Sequence, residues 1–129
     1  AGAGAVIATA CDMRIAAPSA RIAFLFTKVG LSGADMGAAW LLPRLVGLGR
    51  ATELLLTGDF ISANEAYRIG LYNHRVDSGE KVVDAARNLA AALAKAPTAA
   101  LSATKKALQQ ELSMDFSTAL DQEAKRKET

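Results

Sequence analysis

Asp35 is the side chain in this sequence whose setting most readily allows chemistry. It stands in Gly30–Gly47, GLSGADMGAAWLLPRLVG, where a glycine-rich turn opens an apolar helical pattern. A carboxylate at such a turn can take up and return a proton. It can equally cap the helix by accepting hydrogen bonds from orphan backbone N–H groups, a contribution of about 1 kcal/mol. Local physics alone favours the cap. A second candidate is the pair Gly2 and Gly4 in AGAGAV, since glycines at a helix start let a ligand approach bare N–H groups carrying positive partial charge. Small residues also serve tight helix contacts, and spacing alone favours that role. His74, in LYNHRV, reads as an ordinary strand or loop side chain, and Asp12 as a structural hydrogen-bonding group. One His, one Cys and no close carboxylate pair give no metal-ligand set. No Ser-His-Asp or Cys-His arrangement stands out either.

The elements that position these groups follow from composition and periodicity. The 129 residues are the size of one domain, and 51% hydrophobic with 22% charged residues is the balance of a chain that buries a core. Aromatics make up 5%, and alanine is abundant, which favours closely packed helices with a few short strands. A net charge of +2 is too small and too interspersed for a nucleic-acid or membrane surface. The cluster Lys125, Arg126, Lys127 reads as a solvated helix end whose cations suit the C-terminal dipole. Cys11 is the lone cysteine, expected as a buried structural thiol in a reducing compartment. No apolar run approaches the roughly 18 residues of a membrane span, so a soluble, cytoplasmic protein is expected. The opening AGAGAVIATACD has no polar lead-in, and an upstream half is expected to be missing.

Met13–Ala17 and Arg21–Phe26 read as two short strands joined by Pro18-Ser19 turn chemistry, a hairpin or near-hairpin. Ala39, Leu42 and Val46 recur at helical spacing over Met36–Val46, with Pro43 placed to kink or end the helix and Gly47 and Gly49 to break it. Arg50–Thr57 turns Ala51, Leu54 and Leu55 to one face, and Gly58 offers a left-handed C-terminal residue. Ser62-Ala-Asn-Glu65 is a capping-box pattern, opening a short helix to Ile69 that Gly70 stops. Leu71–Val76 reads as a strand. Beyond Gly79 the pattern is helical: a stripe from Val82 to Leu93, a helix after Pro97 with Leu101, Thr104 and Leu108, and a third from about Asp115.

These separated motifs coincide in one pattern. AGAG…ATACD, the strand pair ending at Phe24, VGLSGADMGAAWLLPRLVG and ELLLTGDFISANEAYRIGLYNHRV together resemble the enoyl-CoA hydratase/isomerase family, also called the crotonase family. The likeness runs from Gly2 to about Val76 and continues more loosely through LAAALAKAPTAALSATKKAL. It implies an α/β fold, a partial crotonase-like spiral of ββα units over residues 1–76, followed by a helical trimerisation region over 77–129. It also implies an acyl-CoA thioester substrate, with no cofactor beyond coenzyme A as carrier, and a homotrimer or dimer of trimers.

In this family two backbone N–H groups polarise the thioester carbonyl and stabilise an enolate. Carried over by position, one donor falls on Ala3, flanked by Gly2 and Gly4, where alanine replaces the common glycine but keeps the N–H. The other donor lies upstream and has no counterpart in these residues. The two glutamates with which hydratases add water fall on Val6 and Phe26, and neither can move a proton. Asp35 matches the aspartate that isomerases and some other members carry in their GL…D.G segment, so the resemblance favours a double-bond isomerase over a hydratase, with Asp35 as acid/base. Val6 and Phe26 would line the substrate site and exclude water. Hydration through other residues, or acyl-CoA binding without catalysis, are the remaining alternatives.

Overall fold

A computed structural model describes Ala1–Lys127; residues 128 and 129, which the expected helical region 77–129 includes, lie outside the described residues. The chain divides into two compact units, one spanning Ala1–Ala86 and the other from Arg87 onward.

In the first unit, α1 (Ala3–Ala10) turns Ala5, Val6 and Thr9 inward. The Thr9 hydroxyl donates to the Ala5 carbonyl at 2.7 Å, so its burial leaves no polar atom unsatisfied. After Gly37, α2 (Ala38–Val46) buries Ala38, Leu42 and Val46, residues four apart that share one face. The expected stripe held Ala39 in place of Ala38. Pro43 sits inside α2, which runs one more turn, and Gly47 (φ 86°) makes the joint into α3 (Leu48–Thr57). Gly49 therefore lies within α3 and does not break it. Gly58 ends α3 at φ 63°, its N–H donating to the Leu54 carbonyl at 3.0 Å. A Cβ there would lie 3.2 Å from both the Phe24 carbonyl and the Lys28 side chain, so with its positive φ the position is strained and crowded for any other residue.

Strands β1 (Ile15–Ala16) and β2 (Arg21–Ile22) do not form the expected hairpin. A turn does close at Ala17–Ala20, the Ala20 N–H reaching the Ala17 carbonyl at 3.1 Å. The strands then diverge: β1 pairs in parallel with β4 (His74–Arg75), and β2 pairs antiparallel with β3 (Ile61–Ser62). Each is two residues long, so the partners are chosen by the packing of the helices between them. Past β2, Ala23, Phe24 and Phe26 are buried, and the chain closes into a 3-10 turn at Leu25–Val29. The expected strand Leu71–Val76 shortens to β4 because the Leu71 and Tyr72 N–H groups both donate to the Ala66 carbonyl, at 2.9 and 3.1 Å, and are not available to a ladder.

Helix α4 (Ala63–Arg68) carries half of the expected capping box. Ser62 Oγ accepts from the Glu65 N–H at 3.1 Å. The Glu65 carboxylate does not reach back; it accepts from Arg68 Nε and Nη2 at 2.7 and 2.6 Å, which hold its pKa below the ordinary value. A bidentate, charge-assisted pair outweighs one neutral N–H. The hydrophobic cluster of this unit gathers Val6 from α1, Phe24 and Phe26, Leu42 and Leu54 from α2 and α3, and Leu71.

Arg14 closes the far end of α1. It is only 8% exposed. Its Nη1 donates to the carbonyls of Ala8, Thr9 and Cys11, its Nε to the Leu71 carbonyl at 2.7 Å, and its N–H to Asn73 Oδ1 at 2.8 Å. Burial pulls the guanidinium pKa below its ordinary value, against the pull of Cys11, Asp12 and Tyr72. A cation over a helix C-terminus meets the negative end of the dipole and satisfies carbonyls that have no further turn to bond. Arg14→Met keeps the stem but strands the carbonyls of Thr9, Cys11 and Leu71, the Ala8 carbonyl keeping the Cys11 N–H, so a loss on the order of 3 kcal/mol in urea unfolding is expected. Cys11, expected buried, is exposed. Helix α1 has ended at Ala10, which carries Cys11 past the buried face; its Sγ contacts the Ile7 carbonyl at 3.4 Å.

The helical run begins with α5 (Val82–Ala94) after a 3-10 turn at Gly79–Lys81 and continues as α6 (Thr98–Gln110) and α7 (Phe116–Lys127). Pro97 stands one residue before the first turn of α6. Asp115 caps α7: Oδ1 accepts from the Thr118 N–H at 2.8 Å, and these bonds hold its pKa low. Arg126, from the basic cluster, pairs with Glu111 at 2.6 Å.

Candidate functional site

Gly2, immediately before α1, adopts φ 56°, ψ −126°, a conformation open to glycine and costly to other residues. Its N–H donates to the Ala23 carbonyl at 3.0 Å, which ties the start of α1 to the segment leading to Phe26. Ala3 is the first residue of α1, so its N–H has no preceding helical turn to bond. Ala3 and Gly4 are exposed. A Cβ at Gly2 or Gly4 would meet no atom within 4 Å, so tight helix packing, the role that spacing alone favours, does not account for either glycine. What remains is an exposed helix start whose Ala3 N–H has no partner among the described residues.

Asp35 is exposed as well. It does not cap α2: the residue at that position is Gly37 (φ 93°, ψ 5°), and no side chain bonds the first-turn N–H groups. The Asp35 carboxylate instead accepts from the adjacent Met36 N–H at 2.9 Å, while its backbone carbonyl accepts from Ala38 at 2.9 Å. The chain between Asp35 and Ala38 turns too tightly for the side chain to reach the next helical donors. Among the described residues Asp35 has no cationic partner. The carboxylate is thus held at one oxygen and open at the other.

Val6 and Phe26 lie in the same hydrophobic cluster, 2% and 8% exposed. Ala38, the residue that ends the Asp35 turn, is buried in it too. The cluster therefore joins the first turn of α1, Phe26 and the base of the Asp35 turn, while Ala3, Gly4 and Asp35 stand at its exposed edges. As core side chains, Val6 and Phe26 present little open surface. Two apolar groups at those positions leave Asp35 as the lone carboxylate of this set.

His74 and Asp12 take no part. His74 lines a separate cleft of about 410 Å³ with Asn64, Tyr67, Arg75 and Asp77, where the Arg75 guanidinium lies 4.6 Å from the Tyr67 ring. Asp12 is exposed at the end of α1, close enough for its charge to act on Arg14. No group of three or more potential metal ligands occurs among the described residues, and no helix of the described residues is long and apolar enough to cross a membrane. Sequence reading missed Met36, whose φ of 54° shapes the turn. The Met-Gly step after an aspartate was its only signal.

The enoyl-CoA hydratase/isomerase family profile matches residues 1–129. The chain is 42% identical over 123 residues to 1,2-epoxyphenylacetyl-CoA isomerase of Escherichia coli strain K12, covering 95% of this chain and 46% of that protein. Among solved structures, a provisionally named enoyl-CoA hydratase from Streptomyces coelicolor A3(2) superposes with a TM-score of 0.94 at 53% identity, over 98% of this chain and 46% of that one. A similarly named hydratase from Thermobifida fusca YX, crystallised with CoA, gives 0.92 at 34% identity over 98% and 48%. The chain thus spans about half the length of the relatives it matches. A match over every residue, with superposition of this quality on crotonase-fold structures, places the chain in the enoyl-CoA hydratase/isomerase family.

Proposed function

We propose that this chain carries the acid/base part of an acyl-CoA double-bond isomerase. The observation behind this reading is the single exposed carboxylate of Asp35, set beside a core in which Val6 and Phe26 are both apolar and buried. In the proposed reaction the Ala3 N–H donates to the thioester oxygen of the acyl-CoA. Asp35 takes the α-proton, and the electron pair left behind is delocalised onto that oxygen as an enolate. Protonated Asp35, whose exposed carboxyl can trade its proton with solvent, then delivers a proton at the γ carbon, and the double bond moves by one position. Atoms balance with no redox partner and no water. Val6 and Phe26 back the site with dry surface, which keeps the enolate from side reactions.

Family membership and the CoA-bound relative support an acyl-CoA thioester as the substrate class. The helices after α5 leave Leu108, Leu112 and Phe116 61–80% exposed, which supports assembly through this region as a trimer or dimer of trimers. Hydration is the second reading, favoured by the hydratase names among the relatives. Incubating the intact protein with a 3-enoyl-CoA separates the two. The shifted 2-enoyl-CoA is the expected product; no turnover of the 3-enoyl-CoA, with 3-hydroxyacyl-CoA formed instead when a 2-enoyl-CoA is supplied, would replace isomerisation with hydration.

A further inference from the structure

Met36 is the one non-glycine residue with positive φ among the described residues. With Gly37 at φ 93°, ψ 5° and the Ala38 N–H bonded to the Asp35 carbonyl, residues 35–38 form a type I′ turn whose first central position is Met36. That position favours Asn, Asp or Gly, because a side chain with a Cβ crowds the following carbonyl in the left-handed region. Methionine holds it at a steric cost. Burial does not offset that cost, since Met36 is 53% exposed. Its backbone N–H is the group that holds the Asp35 carboxylate, at 2.9 Å. The thioether side chain therefore branches from the Cα next to the proton-carrying group.

Glycine or asparagine would make the same turn with less strain, so the turn itself is not what methionine contributes. Its side chain is: flexible, polarisable and suited to adaptable apolar contacts. Strain held beside a reactive group points to a functional use of the residue that carries it. We infer that Met36 is a specificity-determining residue, its side chain resting against the acyl chain next to the carbons that Asp35 serves. This rests on the reading of Asp35 as proton carrier.

The test uses the intact protein with short- and long-chain 3-enoyl-CoA substrates, measuring kcat/KM for each together with Tm. Met36→Gly relieves the strained φ and removes the contact. Tm is expected to stay level or rise, while the long-over-short ratio of kcat/KM falls by about tenfold, the scale of a few lost apolar contacts. Met36→Asn, which tolerates the left-handed conformation, is expected to give the same shift. An unchanged ratio in both variants overturns the inference. So does a lowered Tm with equal losses on every substrate, which would mean that Met36 only packs under another segment. Asp35→Asn, run alongside, separates the two ideas. If it keeps full turnover, the proton-carrier reading and this inference fall together; if it is inactive while the Met36 ratio is unchanged, only the inference falls.

Discussion

Asp35→Asn in the intact protein is expected to lower kcat by about 100-fold or more with KM for the acyl-CoA changed little. The substitution is a sharp one because of where the carboxylate is held. The Met36 N–H bonds one side-chain oxygen at 2.9 Å, and the amide oxygen of asparagine accepts the same bond. The type I′ turn and the path into α2 are therefore preserved, and the variant removes only the ability to take up a proton. A helix cap would behave otherwise. Asparagine caps as well as aspartate does, so a purely structural Asp35 would leave turnover untouched. Gly37 standing in the cap position already argues in the same direction.

Ala3→Pro is expected to reduce kcat by about 100- to 1000-fold, the scale of losing one oxyanion donor. Proline is suited to the first position of a helix: the N–H it lacks has no intrahelical partner there, and its fixed φ matches the first turn. Gly2 lies outside the helical region at φ 56°, ψ −126°, so the usual clash of proline with a preceding α-region residue does not arise. Ala3 is exposed, which leaves room for the ring. Circular dichroism and Tm should therefore stay close to those of the parent protein while turnover collapses. Ala3→Gly keeps the N–H and should keep most of the activity. Equal activity in the proline variant would remove Ala3 from the oxyanion role.

Much of this architecture was legible in the residues, and the exceptions share a cause. Gly58 as the stop of α3 and Ser62 as the cap of α4 are local devices, written within four residues, and both occur where the chemistry places them. The Ser62 cap was readable in full, but the answering bond from Glu65 was not, because Arg68 competes for the same carboxylate with two charged donors. The hairpin failed for a longer-range reason. Strands of two residues have too few hydrogen bonds to choose their partners, and the helices between Ala20 and Ile61 decide that Ile22 meets Ile61 and that Ile15 meets His74. Arg14 was invisible in the same way. Nothing near it in sequence says that an arginine will fold back over the end of α1 while also bonding Leu71.

At the site, residue types could be read and conformations could not. Val6 and Phe26 as apolar, buried positions follow directly from their chemistry. The change of Asp35 from helix cap to an open carboxylate depends on the left-handed Met36, since the I′ turn carries the side chain away from the donors of α2. A glycine in place of Met36 would have announced that turn. The methionine hid it.

The most direct measurement is exchange of the substrate's α-protons with solvent deuterium in the intact protein, followed by mass spectrometry or proton NMR on an unreacted acyl-CoA. With Asp35 as the base, the parent protein should exchange these protons much faster than solvent alone, and Asp35→Asn should lose that exchange by about 100-fold while still binding the thioester. Exchange that survives unchanged in Asp35→Asn would contradict the assignment and place the base elsewhere in the protein.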